Sequence, residues 1–174
     1  MKDRRKARSL ALQVLYEVDC TTHPVEDVVR ARLDDTPVKA EVEVFARQMI
    51  DGVLHYAAEL DNLIHKHAPE WPLDQMAIID RNILRMAIWE FAVSHTNPIK
   101  VAINEAVELA KLYGSDSASR FINGVLGALA GELWLIAPLG LRGTACFAAG
   151  LNLLAAGLAW RLSRRETMPS PSPV

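Results

Sequence analysis

Cysteine is nearly absent from this chain. Cys20 and Cys146 lie far apart, and neither stands in a CxxC pair or beside histidines. That excludes a disulfide framework and argues against a zinc site, and a reducing compartment is the default. The N-terminus lacks the apolar stretch of a secretory leader, so the expected location is cytoplasmic. Aromatic residues make up only 6% of the chain, so a core must be built from leucine, isoleucine, valine and alanine. The motifs of catalysis are missing too: no Walker loop, no GxGxxG after a strand, no nucleophile elbow. His65 and His67 are two apart and point to different helix faces, and Asp80 and Glu90 are separated by nearly three helical turns. No catalytic residue, no metal site and no cofactor is expected. No run alternates with period two, and no segment repeats at a fixed period.

What is present is a strong asymmetry of charge. Residues 1–8 carry five basic side chains and one acidic, a sum of +4, whereas residues 9–133 sum to −9 and residues 134–174 to +3. A general polyanion binder would be basic throughout, so contact with nucleic acid should be local. The acidic body suits a basic protein partner.

The basic head runs straight into an amphipathic helix. Ala7, Leu10, Ala11, Val14, Leu15 and Val18 fall on one helical face. Lys2, Arg4, Arg5, Lys6 and Arg8 are therefore expected on an ordered scaffold, where guanidinium groups grip phosphate oxygens bidentately. Gln13 and Tyr16 share a flank of that helix and offer an amide for a base edge and a ring for stacking. Tyr16 reads equally as a half-buried core residue, and the whole head as a solvated terminus.

Beyond the first helix, Thr22 and Pro24 predict a short helix to about Leu33, and Thr36-Pro37 a long one with Val42, Phe45, Ala46, Met49, Ile50, Val53 and Leu54 inward. A further turn or two buries Leu60, Leu63 and Ile64 and ends before Pro69. Trp71 is expected to plug the core from a loop, and Asp74 to cap the next helix. That helix turns Met76, Ile79, Ile83, Leu84, Ala87 and Phe91 inward. Asn97-Pro98 opens a helix with Val101, Ala102, Ala106, Leu109 and Ala110 inward, closed by Gly114. Ser117 or Ser119 begins the last, running to roughly Leu133. The fold class is all-α, with short connections.

Glu105 and Glu108 read as solvated surface, and Asn104 as a boundary residue that needs a hydrogen-bond partner. Asn123-Gly124 inside a helix costs about 1 kcal/mol against alanine-like residues. Such a pair points either to close backbone approach of another helix or to a polar group aimed at a ligand.

These motifs together resemble the NusB family of bacterial antitermination factors. The resemblance rests on Arg4 through Arg8 with Ala11 through Tyr16, on Asp80-Arg81-Asn82-Ile83-Leu84-Arg85, on Pro98 through Lys111, on Tyr113-Gly114, and on Phe121 through Leu126. It covers about residues 2 to 130. It implies about seven helices in two small packed bundles, with residues 1–133 as the binding domain. It implies binding to boxA RNA of ribosomal RNA leader transcripts together with ribosomal protein NusE. That complex joins the RNA polymerase elongation complex with other Nus factors and suppresses premature termination. Implied RNA-binding positions are Lys2, Arg4, Arg5, Lys6, Arg8, Gln13 and Tyr16, with Phe121 and Asn123 at the border. Implied NusE-binding positions are Tyr16, Asp80, Arg81 and Arg85. A second reading is the NusB-like lobe of a ribosomal RNA cytosine methyltransferase, which needs a cofactor-binding α/β domain and catalytic cysteines not found in this sequence. A third is a helical scaffold that binds protein only.

Residues 134–174 form an apolar, then Pro/Ser-rich extension that the resemblance leaves unexplained. The stretch 144–160 is mostly Ala, Gly and Leu and is followed by Arg161, Arg164 and Arg165. Three readings stay open: a membrane tail anchor at the lower limit of length, a helix for packing or self-association as a homodimer, and a weakly structured tail.

Overall fold

The computed structural model describes residues 2–133 together with Leu153, Ala155, Ala156 and Arg161. Contacts separate residues 1–130 from a second unit beginning at Gly131. Among the described residues there are seven α-helices and no strand: α1 (Lys2–Cys20), α2 (Val25–Asp35), α3 (Ala40–His55), α4 (Ala57–His67), α5 (Ile78–Ile88), α6 (Ile99–Tyr113) and α7 (Ala118–Gly131). A five-residue π-helical segment, Trp89–Val93, continues α5.

The apolar spacing of α1 buries Ala7, Leu10, Ala11, Leu12, Val14 and Leu15. That face packs on α2 and α3 and, across the domain, on α5. Helix α5 in turn packs on α4 and α6, so α1 and α5 join the two helical groups. Leu12, Leu15, Ile50, Ile64, Ile83, Leu84, Ile88, Ile122 and Leu126 are essentially sealed from solvent, and each such side chain contributes about 1.5–3 kcal/mol by burial.

One close approach fixes how α3 meets the π segment. A Cβ built on Gly52 would fall 2.1 Å from Trp89 Nε1 and 2.2 Å from Cε2. The indole sits against the backbone of α3, where no side chain fits.

Several expectations are corrected here. Trp71 does not plug the core: it is 56% exposed, because the loop between Pro69 and Pro72 carries it along the surface. Asp74 does not cap a helix. The amides of Gln75 and Met76 both bond the Pro72 carbonyl in an isolated turn, and α5 begins only at Ile78. Thr22 gives α2 no side-chain cap, since Pro24 occupies the cap position. Thr21 instead closes α1, donating to the Glu17 carbonyl at 2.8 Å. Leu54 and Val101 face outward, 37% and 42% exposed. The stretch 144–160 lies outside the described residues apart from Leu153, Ala155 and Ala156. Among the described residues no helix is long and apolar enough to cross a membrane.

Candidate nucleic-acid interface

Helix α1 begins at Lys2, so the whole basic head is helical. Cationic side chains in a first turn oppose the helix macrodipole, which favours anions there. A sequence arranged for helix stability alone would not place them so. Lys2, Arg4, Arg5 and Lys6 are exposed, and Lys2, Arg4 and Lys6 have no carboxylate within ion-pair distance among the described residues. Arg4 lies over the Phe45 ring, 4.8 Å from its centroid, and donates to Asn97 Oδ1 at 3.3 Å. Arg5 makes a bidentate pair with Glu105, at 3.1 and 3.2 Å, which raises the affinity of its guanidinium for the proton. Asp3 holds Lys39 at 3.0 Å across to the start of α3.

Arg8 is different. Only 4% exposed, it is directed inward against Glu90, bonding Oε2 through Nε at 3.0 Å and Oε1 through Nη2. A third contact reaches Glu105 at 3.4 Å. Glu90 is 2% exposed and also accepts from the Asn97 amide. The guanidinium of Arg8 is thus engaged beneath the head, and it serves the head by fixing it in place. Glu105 is not solvated surface as expected. With a side chain 14% exposed it receives both Arg5 and Arg8. Glu108 does lie at the surface, paired with Lys111 at 2.8 Å, and Asn104 is exposed, not at a buried boundary. Sequence reasoning missed Glu90 and Asn97. The signal for Glu90 was a lone acid inside the run Ile88-Trp89-Glu90-Phe91-Ala92-Val93.

Along the same flank, Ser9 bonds the Tyr113 hydroxyl, and Gln13 donates to it at 3.2 Å. This ties α1 to the end of α6. Tyr16, one turn on, is 45% exposed, and the neighbouring Cys20 thiol raises its phenol above the ordinary range.

The motif Asp80 through Arg85 behaves as an internal clamp. Asp19 Oδ2, near the end of α1, accepts from Arg81 at 3.1 Å, Asn82 at 3.1 Å and Arg85 at 3.0 Å. Arg85 also grips Asp61 of α4 with two bonds of 2.7 Å, and Arg81 reaches the Leu73 carbonyl at 3.2 Å. The guanidinium groups of Arg81 and Arg85 are therefore engaged within the fold. Asp80 is 9% exposed, and its Oδ1 has no hydrogen-bond partner among the described residues. Burial pushes its carboxyl above the usual range. It lies beside Gly114, where a Cβ would come within 3.1 Å of Oδ1 and 2.6 Å of the Ala118 Cβ. This crowding is why α6 closes on glycine.

On α7, Phe121 is half-buried and Asn123 exposed. A Cβ at Gly124 would meet nothing within 4 Å among the described residues, so no neighbouring backbone there demands the glycine. Among the described residues no group of three His, Cys, Asp or Glu side chains could hold a metal ion.

The family model described as the NusB family matches residues 5–131. The transcription antitermination protein NusB of Roseiflexus castenholzii is 47% identical over 128 residues, covering 72% of this chain and 90% of that protein. That of Bacillus subtilis is 39% identical over 130 residues, covering 75% and 96%. Among solved structures, NusB of T. maritima aligns with a TM-score of 0.68 at 32% identity over 74% of this chain and 91% of that one. A chain from the crystal structure of antitermination factors NusB and NusE in complex with double-stranded RNA aligns with a TM-score of 0.68 at 26% identity, covering 74% and 96%. None of these four is a methyltransferase. The extent of the match, the identities and the shared all-helical fold together make this chain a member of the NusB family, whose relatives carry the name of transcription antitermination proteins and not of enzymes.

Proposed function

We propose that this chain is a cytoplasmic transcription antitermination factor. It binds boxA RNA of ribosomal RNA leader transcripts together with ribosomal protein NusE, within the elongation complex of RNA polymerase. Residues 1–133 form the binding domain, and residues 134–174 are an appended segment. The observation that carries the reading is the exposed quartet Lys2, Arg4, Arg5 and Lys6, held on an ordered helix by the buried Arg8–Glu90 pair. Family membership and the solved NusB–NusE–RNA relative support it.

This geometry supports the role assigned to each residue. Lys2, Arg4 and Lys6 contact phosphates directly, and Arg5 does so while exchanging with Glu105. Gln13, Tyr16, Phe121 and Asn123 meet bases. Arg8 positions the head from beneath. Tyr16 belongs to the NusE-facing surface, which Arg81 and Arg85 shape by holding Asp19 and Asp61, with Asp80 backing the same helix from its buried position. No chemistry is involved: binding is an equilibrium, and NusE and RNA strengthen one another by the same factor.

The test replaces Lys2, Arg4 and Lys6 together by alanine and titrates a boxA oligonucleotide across salt concentrations, with and without NusE. Each lost phosphate contact reduces the slope of log K against log salt by about 0.7 for a single strand, so the triple variant should be shallower by about two. Helical circular dichroism should be unchanged. Equal affinity and equal slope would refute the proposal.

A further inference from the structure

Trp71 is the large aromatic side chain that the proposed site leaves unexplained. It is 56% exposed, more than any other Phe, Trp or Tyr side chain among the described residues. Its one aromatic neighbour among the described residues is Phe121, with ring centroids 5.6 Å apart and planes inclined at 59°. That contact holds the indole without covering it. The two rings line two open grooves, of about 490 and 400 Å³. Arg120 lines both grooves as well, and Ser115 and Ser117 add hydroxyls to the larger one. Aromatic rings with an adjoining guanidinium and hydroxyl groups are the composition of a single-strand platform: the rings take bases, and the polar groups take the backbone.

The chain connects the platform to the flank of the head. Ser9 and Gln13 meet Tyr113 at the end of α6. Gly114 follows, then Ser115 and Ser117, and Phe121 lies one turn into α7. The connection between α6 and α7 thus begins at the flank of α1 and ends beside Phe121.

We infer that Trp71, flanked by Arg120, is a stacking position for an unpaired base of the bound RNA, extending the site beyond Phe121. The inference rests on the RNA-binding reading above. Such a position favours single strands over duplex, because a paired base has no free face to offer.

The experiment compares the unaltered chain with Trp71→Ala and Trp71→Phe. The probes are a single-stranded boxA oligonucleotide, the same sequence as a duplex, and NusE. Trp71→Ala should bind the single strand roughly tenfold more weakly, with duplex and NusE binding unchanged. Trp71→Phe should stay within about threefold, since a benzene ring still stacks. Tryptophan emission of the unaltered chain should be quenched by the single strand, and that quench should vanish in Trp71→Phe although it still binds. The phenylalanine variant therefore decides the matter even if the alanine variant folds poorly. Undiminished single-strand affinity of Trp71→Ala together with an undiminished quench in Trp71→Phe overturns the inference while leaving the head reading intact. Loss of NusE binding alone overturns it in favour of a protein-docking surface. Failure of the unaltered chain to bind the single strand overturns both.

Discussion

Replacing Glu90 by alanine should be among the most damaging single substitutions in the domain. The Arg8 and Glu90 side chains are 5% and 2% exposed, and two hydrogen bonds join them. Without Glu90, Arg8 keeps Glu105 at 3.4 Å as its carboxylate among the described residues, with the Phe45 ring 5.8 Å away, and the Asn97 amide loses its acceptor. Breaking a buried pair from one side leaves an uncompensated charge and costs about 3–5 kcal/mol, against a total of roughly 5–15 kcal/mol for a domain of this kind. Partial compensation by Glu105 places the expectation near the lower end, about 3 kcal/mol. Urea unfolding followed by helical circular dichroism measures it directly, as a lowered midpoint at unchanged slope. The paired variant R8M/E90L should recover most of the loss, because two apolar side chains can replace a buried ion pair at little net cost. It should also keep RNA affinity within about threefold, because phosphates are met by Lys2, Arg4, Arg5 and Lys6. The reasoning fails if Glu90→Ala loses less than about 1 kcal/mol. It fails differently if R8M/E90L folds normally yet no longer binds, for then Arg8 touches RNA itself.

Two further substitutions follow from crowding and burial. Gly52→Ala forces a methyl group into the Trp89 indole and should destabilise by about 2–3 kcal/mol, seen as a lowered Tm. Trp89→Leu in the same chain should restore part of the loss, and an unchanged melt of Gly52→Ala would contradict the packing described. Asp80, whose carboxyl burial holds above the usual range, binds its proton more tightly folded than unfolded. Its contribution to stability therefore falls as pH rises from the ordinary carboxylate value through the raised one. Asp80→Asn should gain on the unaltered chain between pH 4 and pH 7 in urea unfolding. A difference independent of pH would refute this. Glu17 and Glu26, whose carboxyls are lowered by hydrogen bonds from Arg32 and Arg47, act in the opposite sense but equally in both variants.

Helical periodicity made the architecture legible, because leucine, isoleucine and alanine at three- and four-residue spacing have one way to be buried. The role of each charge was harder to read. Arg4 and Arg8 are the same residue type in the same basic run, yet one is exposed and the other sealed. Arg8 stands three residues before Ala11 and seven before Leu15, so periodicity does place it on the inner face. What composition could not supply was its partner, since Glu90 is 82 positions away. Arg81 and Arg85 show the same difficulty: their acceptors Asp19 and Asp61 come from two other helices. The surface course of Trp71 depends on how a proline-bounded loop crosses α7, which no local pattern encodes.

The π segment has a consequence for how the domain comes apart. Trp89 is seated on α3, while the next residue, Glu90, reaches into α1. Chain ends ordinarily fray well before a domain melts, but the first turns of α1 are tethered to this knot through Arg8. Beyond the first turn, whose amides have no partner within the helix, the amide protons around Arg8 should exchange only as the core itself opens.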